Sequence, residues 1–377
     1  AQKKQHFKRE KGLAGCLLIK DDNDRLAEWV AYHVTTLPMT HLIVAVDPAA
    51  VQDPMDVLGK YVEAGILQVE LWPSETHCPG CQMLKGPKHR LYNHNTRQFI
   101  FANKCIKRHK EWGNTWVTII DTDEYLVFNR YMDESKWSEE KRKTGVRFRQ
   151  NRTRFVRGEI IRSDCKAETL LDESVAKRTS RKSLPPTGTS ITAMEFIAMH
   201  AEEIPFLSPC VTFPRLFFSS IEPDDATLMK HVPENFVKDA RNFTTNRFRH
   251  HAIKGEHDLN LYGKVIMDAS RIYLNFTINI IHRPSKEECN IADPCLDKAL
   301  FRVHHYQSTY ESYSSRKGSW RNAQKFDQGK DVDMGADDDI RPWLQLFVQK
   351  FGPSKSADLV DGVGDVKRAF ASVTSFN

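Results

Sequence analysis

Asp121-Thr-Asp123-Glu124 sets three carboxylates within four residues, directly after the apolar run Trp116–Ile120 and directly before a second one, Tyr125–Phe128. A buried strand running straight into paired acids delivers them to the carboxyl edge of an α/β sheet, where ligands bind. Adjacent carboxylates at that edge are hard oxygen ligands for Mg²⁺ or Mn²⁺ bridging a diphosphate. A solvated acidic turn is the plainer reading of the same residues. Lys85-Gly-Pro-Lys88-His89-Arg90 opens a helix and offers positive charge to a diphosphate, with a basic surface loop as its alternative. His77-Cys78-Pro-Gly-Cys81 is a lone C-x-x-C without a second pair at zinc spacing, so a small disulfide-closed loop or two free thiols fits it better than zinc.

The elements that must position these groups alternate in type. Gly15–Ile19 is a short continuous apolar run stopped by Lys20-Asp-Asp-Asn-Asp24, as expected of a buried parallel strand ending in a polar loop. Leu26, Trp29, Val30, His33 and Val34 then fall on one helical face, with Asp24 placed to cap. A strand at His41–Val46 ends in Asp47-Pro48, and a helix around Pro54–Ala64, a strand at Leu67–Leu71, a long helix at Arg90–Trp112 and the strand Trp116–Ile120 follow. Strands alternating with helices predict βαβ units and an open, mostly parallel sheet. Lys136–Lys182 holds 15 Lys and Arg against 7 acids and reads as an irregular insertion with short strands. Apolar segments resume at Ile191–Ile204, Val211–Ser219, Lys264–Met267 and Tyr273–Ile281, and Trp343–Phe351 reads as a terminal helix on an acidic linker.

At 377 residues with 40% apolar side chains the chain is ordinary globular material, which excludes disorder, collagen and coiled coil. Residues 331–377 carry eight acids and five bases, so the overall +6 leaves a body of +9, suited to an anionic ligand. No stretch approaches the roughly 18 apolar residues of a membrane span, and the charged start has no apolar signal core. A start at Ala without Met reads as a processed or trimmed chain. Eight cysteines and the sequons Asn151-Arg-Thr, Asn242-Phe-Thr and Asn275-Phe-Thr favour a secretory lumen. Cys289 and Cys295 are spaced to close a short loop, whereas Cys16 and Cys105, on apolar elements, are expected to be free core thiols.

In order along the chain, these segments resemble glycosyltransferase family 92 and the neighbouring family 2-like enzymes of GT-A fold. Lys20-Asp21-Asp22, Glu28-Trp29 and His33 are similar to the family's first strand end and the helix after it, although its Asn-Glu is here Asp-Asp. Asp47, with Asp53 beyond it, stands where the family has a uracil-facing Asp. Gln98 and Asn103-Lys-Cys105 precede Asp121-Thr-Asp123-Glu124-Tyr125, which matches the family's D-x-D segment, and Val303-His304-His305-Tyr306 matches its late His-Tyr. The likeness covers roughly residues 13–320 and is poor through Lys136–Ser190.

The resemblance implies an α/β GT-A sheet, mostly parallel and Rossmann-like in its first half. It divides the chain into a charged leader 1–12, a catalytic domain 13–320 and an acidic linker with terminal helix 321–377. Within the catalytic domain, residues 13–130 form the nucleotide half, 136–190 the basic insertion and 191–320 the acceptor half. It implies a metal-dependent transferase using a UDP-sugar donor, with galactose as one candidate sugar, a glycan acceptor and transfer with inversion. Lys20, Asp22, Asp47, Asp121 and Lys88 are then donor-binding candidates, and Asp121, Asp123 and His305 candidate ligands of Mn²⁺ or Mg²⁺, since imidazole with carboxylates suits Mn²⁺. Of the two adjacent histidines, one is a packed strand residue, because neighbours on a strand face opposite ways. An inverting transfer also needs a base for the acceptor hydroxyl, for which Glu222, Asp224, Asp225 and Glu195 are candidates. The expected place is the Golgi lumen, with a type II anchor upstream. The basic block supports a different class, a polyanion- or nucleic-acid-binding protein, but lacks the stacking aromatics and recognition helices of such modules. A catalytically dead, lectin-like relative is a further alternative.

Overall fold

The computed structural model describes residues 13–79, 89–114, 116–128, 154–156, 159–161, 209–251, 263–272, 299, 301–315, 324, 326–327 and 335–365. Its first half follows the expected alternation: β1 (Leu13–Ile19), α1 (Asn23–Thr36), β2 (Met39–Val46), α2 (Met55–Glu63), β3 (Gln68–Trp72), α3 (Ser74–His77), α4 (His89–Trp112) and β4 (Trp116–Ile119). β5 (Glu124–Phe128) follows the acidic turn. A small antiparallel hairpin, β6 (Arg154–Val156) with β7 (Glu159–Ile161), lies in the basic block. β8 (Cys210–Phe213) and β9 (Arg215–Phe218) come next, then β10 (His250–His251), β11 (Lys264–Asp268), β12 (Phe301–Tyr306) and β13 (Gly335–Ala336).

One sheet has six strands in the order β3-β2-β1-β4-β11-β8. β1 runs parallel to β2 and β4, and β2 parallel to β3, while β11 is antiparallel to both β4 and β8. The architecture is mixed α/β with a mostly parallel sheet. Alternation along β1 and β2 buries both faces: Leu13, Leu17, Leu42 and Val44 pack toward α1 and α2, while Ala14, Cys16, Ile43 and Ala45 pack toward Phe101, Ala102 and Ile106 of α4. A second sheet of five strands has the order β13-β10-β9-β12-β5. The chain passes from the first sheet to the second three times, at the acidic turn between β4 and β5, at Pro214 between β8 and β9, and again between β11 and β12. Proline has no N–H to donate, so the apolar run Val211–Ser219 is not one strand but two, in different sheets.

β5 is an edge strand of the second sheet, and α1 covers it with side chains. Trp29 Nε1 donates to the Glu124 carbonyl and the Tyr32 hydroxyl to the Leu126 carbonyl, each at 2.9 Å, while Leu126 N–H donates to His33 Nε2 at 3.4 Å. Burial depresses the His33 imidazole to about 3, which keeps it neutral and able to accept that bond. The Trp and His of the first motif thus satisfy the backbone leading away from the acidic turn. The cap of α1 differs from expectation: Asp22 holds the N-cap position, and Asp24 is buried in the first turn, accepting from Ser312 Oγ.

Cys16 and Cys105 are not free thiols. They form a disulfide that ties β1 to α4 across 89 residues. Both are buried among apolar side chains, where pairing of two thiols from distant elements leaves no local signal in the sequence. Cys78 and Cys210 are disulfide-bonded as well. The segments Ile191–Ile204 and Tyr273–Ile281 lie outside the described residues.

Candidate active site

The acidic turn sits where β1, β4, β5 and β12 come together. Tyr306 N–H donates to the Asp123 carbonyl at 2.9 Å, pinning the end of β12 to the turn. β12 pairs antiparallel with β5, setting His305 opposite Glu124. His305 accordingly faces the turn, with Nε2 3.8 Å from Asp123 Oδ2, and its ring meets Phe217 edge-on. His304 points the opposite way into the core, as strand alternation requires.

Asp22 joins this group from the end of β1, accepting from the Thr122 hydroxyl at 3.1 Å. Arg25 bridges the two segments: it is paired with Asp22, and its Nη1 lies 3.3 Å from Asp123 Oδ2. Burial opposes ionisation of Asp123, but His305 and Arg25 outweigh it and hold its carboxyl below the usual range. Asp121 reaches toward solvent with its side chain 40% exposed, and Lys264 Nζ of β11 approaches it at 3.2 Å. The same ammonium lies 2.7 Å from Glu124, whose other oxygen takes Arg215 at 3.0 Å. Burial works against the Lys264 charge, but Asp121 and Glu124 prevail and raise its pKa above the ordinary lysine value. Four carboxylates thus meet three fixed cations, and only Asp121 is open to solvent to that degree.

The remaining candidates are distributed around this centre. Asp47, at the end of β2, is buried, accepts from Ala49 N–H at 2.9 Å and pairs with Arg97 at 2.7 Å. Its N–H donates to the Ile19 carbonyl, which holds it beside the end of β1. Lys20 is exposed at the same edge. Asp21 adopts φ +52° and accepts from Val51 and Gln52 N–H, fixing the loop after β2. Asp53 accepts from Met55 N–H at the start of α2. Glu222, Asp224 and Asp225 stand together on a surface turn beyond β9. Asp224 caps the short helix Asp225–Met229, Glu222 pairs with Arg247 and Arg241, and Asp225 pairs with Arg241. Lys88 and Glu195 lie outside the described residues.

Two carboxylates and an imidazole are a donor set suited to a divalent ion, and His305 Nδ1 is buried without a hydrogen-bond partner. The donor atoms of Asp121, Asp123 and His305 do not all lie within 4.8 Å of one another, because Asp121 is turned to Lys264 and Asp123 to Arg25. Among the described residues only Cys16, Cys105 and His109 draw that close, and they are a disulfide beside a histidine bonded to the Gly15 carbonyl. Sequence reasoning missed Arg25, Arg215 and Lys264. Their charges alone gave no signal, since Arg25 meets Asp123 across 98 residues, Arg215 meets Glu124 across 91 and Lys264 meets Asp121 across 143.

Residues 16–170 match the profile of Glycosyltransferase family 92. Over this segment the chain is similar to family 92. The chain is accordingly an enzyme, a glycosyltransferase, and the site serves a donor and an acceptor. No curated relative matches the chain. The matched segment runs from within β1 through β7, so Asp22, Asp47, Asp121 and Asp123 fall inside it, whereas His305 and Lys264 come from beyond it.

Proposed function

We propose that this transferase is a metal-dependent enzyme of GT-A type that moves a sugar from a UDP-sugar to a hydroxyl of a glycan or glycoconjugate, with inversion. The observation that carries the reading is the meeting of Asp22, Asp121, Asp123 and His305, from three separate segments, at the carboxyl edge of parallel strands in a chain whose residues 16–170 match family 92. Asp121, Asp123 and His305 would hold Mn²⁺ or Mg²⁺, whose charge would offset the negative charge building on the leaving diphosphate. His305 and Arg25 hold Asp123 ionised and Lys264 orients Asp121, whose burial raises its pKa in spite of the lysine, so that little rearrangement accompanies donor binding.

Asp47, fixed by Arg97 and the Ala49 amide, faces the uracil, and exposed Lys20 at the same edge meets the phosphates, with Lys88 as a second cation. The proton acceptor comes from the acidic turn Glu222, Asp224 and Asp225 or from Glu195. Galactose is the donor sugar the resemblance favours. The enzyme works in the lumen of the secretory pathway, the Golgi, behind a type II anchor; the disulfides suit that oxidising compartment. No helix of the described residues is long and apolar enough to cross a membrane.

The test is calorimetric titration of UDP with Mn²⁺, with Mg²⁺ and with chelator, followed by a hydrolysis screen over UDP-sugars. Binding that requires the cation supports the reading. UDP bound equally well in chelator would remove the metal from it. Absent UDP binding together with heparin binding that falls steeply with salt would favour the polyanion alternative.

A further inference from the structure

We propose that Asn242 carries an N-linked glycan, and that its first sugar lies in the groove between the 3-10 helix Glu234–Asn242 and the C-terminal turn at 360–365. The inference is independent of the donor site.

Asn242-Phe-Thr244 is an acceptor sequence, and the structure presents its three residues differently. Asn242 ends the 3-10 helix and is exposed, whereas Phe243 and Thr244 are buried. The amide Nδ2 points along the surface, 3.3 Å from Asp239 Oδ1. Beside it lies a cavity of about 360 Å³ whose lining includes Asp239, Asp361, Asp365, Phe236 and Phe243. Carboxylates around the cavity suit a sugar, which offers hydroxyl donors at its rim. The groove wall is fixed. Gly364 has φ +69°, and a Cβ there would stand 2.9 Å from Asn242 Cβ and 2.8 Å from its carbonyl oxygen, so glycine alone lets the turn pass this close. Its N–H donates to the Asp24 carbonyl at 2.8 Å, anchoring the turn to α1.

The chemistry and the compartment agree. Asn242 Nδ2 attacks the anomeric carbon of a lipid-linked oligosaccharide diphosphate, forming a C–N bond while the C–O bond to the diphosphate breaks. The diphosphate departs with that electron pair, and the amide nitrogen gives up one proton. Disulfide bonding at Cys16, Cys105, Cys78 and Cys210 belongs to the same oxidising route. Thr244 is already committed in the fold: its N–H donates to Glu28 at 2.8 Å and its hydroxyl lies 3.4 Å from Ser308 Oγ. The sequon is therefore read before this region folds, and the sugar settles into the groove as residues 360–365 close over it.

The experiment expresses the full chain through a eukaryotic secretory route, as parent and as an Asn151→Gln/Asn275→Gln background that retains only Asn242. Peptide mass mapping after glycosidase treatment should find Asp in place of Asn242, and the background chain should lose mass in a single step. Mapping the parent needs no variant and reports even if the background folds poorly. An unmodified Asn242 peptide in the secreted parent overturns the proposal. Removal of the glycan from folded protein should lower the melting temperature by a few degrees if the sugar occupies the groove; an unchanged melting temperature overturns that placement.

Discussion

Two neighbouring histidines on β12 face two charged clusters that differ in one respect. On one side His305 meets Asp123 near an edge where Asp121 reaches solvent. On the other, His304 is fully buried. Arg302 Nε donates to its Nε2 at 2.9 Å, and the Arg302 guanidinium pairs with Asp337 at 2.6 Å and Asp339 at 2.9 Å. Burial depresses His304 to about 4, while Arg302 and His304 overcome the burial of Asp337 and hold it far below the carboxylate range. The inner cluster latches the segment after residue 335 onto the sheet, with Asp339 at its solvent edge. The outer one uses the same residue types but leaves an imidazole nitrogen, Nδ1 of His305, buried without a hydrogen-bond partner. Identical chemistry serves folding where every group is satisfied and is available to a ligand where one is not.

The comparison breaks most sharply at Asp337. Asp337→Ala removes the main counter-charge of a buried guanidinium, for which a loss of about 3–5 kcal/mol is expected. Denaturant unfolding measures it, and activity per folded molecule should be retained; a loss below about 1 kcal/mol would show that Asp339 alone suffices. At the outer cluster the expected sign is reversed. Asp123→Ala should cut transfer by about 10²–10³-fold and remove metal-dependent UDP binding, as loss of a group that stabilises transition-state charge does. Arg25 keeps Asp22 as partner, so circular dichroism should show the chain still folded. Full activity of this variant in chelator would refute a metal at the turn.

The two histidines sharpen the same contrast at smaller magnitude. His305→Ala should weaken Mn²⁺ affinity at least about 10-fold with the melting temperature nearly unchanged. His304→Ala should cost about 1–3 kcal/mol of stability, because Arg302 Nε loses its acceptor in a dry site, and should leave metal affinity alone. A reversal of these effects would mean that the faces of β12 are exchanged.

How far these arrangements were legible depends on range. The strands β1, β2 and β4, the long helix, the terminal helix Trp343–Phe351 and the opposite facing of His304 and His305 all follow from local periodicity, and the structure has them within a few residues. The break at Pro214 was available from proline chemistry but hidden inside a continuous apolar run. The Cys16–Cys105 bridge and the pairs made by Arg25, Lys264 and Arg215 join segments 89 to 143 residues apart, and no pattern in one stretch of chain encodes such a meeting. Glu28 stands in the segment that resembles the family's helix after the first strand, and nothing local announces its role. Its carboxylate accepts from Thr244 N–H, Thr245 N–H and the Thr245 hydroxyl, fastening a segment 216 residues away.

Glu28 also supplies the smallest and most selective test, because like the inner cluster it is buried and hydrogen-bonded, yet it is ionisable near neutrality. Burial raises its pKa to about 7, and the hydrogen bonds from Thr245 and Thr244 offset that only in part. A carboxyl raised above its ordinary 4.5 binds its proton more tightly in the folded chain, so its contribution is fully present below pH 4.5 and is lost as pH rises through 7. The buried histidines act in the opposite sense. His33 and His304, depressed to about 3 and about 4, are protonated more readily when unfolded, and they favour the fold as pH rises toward 6.5. The parent curve mixes both signs, so the informative quantity is its difference from Glu28→Gln, which holds one neutral acceptor at every pH. Between pH 5 and 7.5 that difference should drift by about 1 kcal/mol or more, the parent losing ground as Glu28 ionises. Parallel curves for the two proteins would show that the three hydrogen bonds already keep Glu28 ionised in the folded chain, and the latch at Thr244 and Thr245 would then rest on a fixed charge.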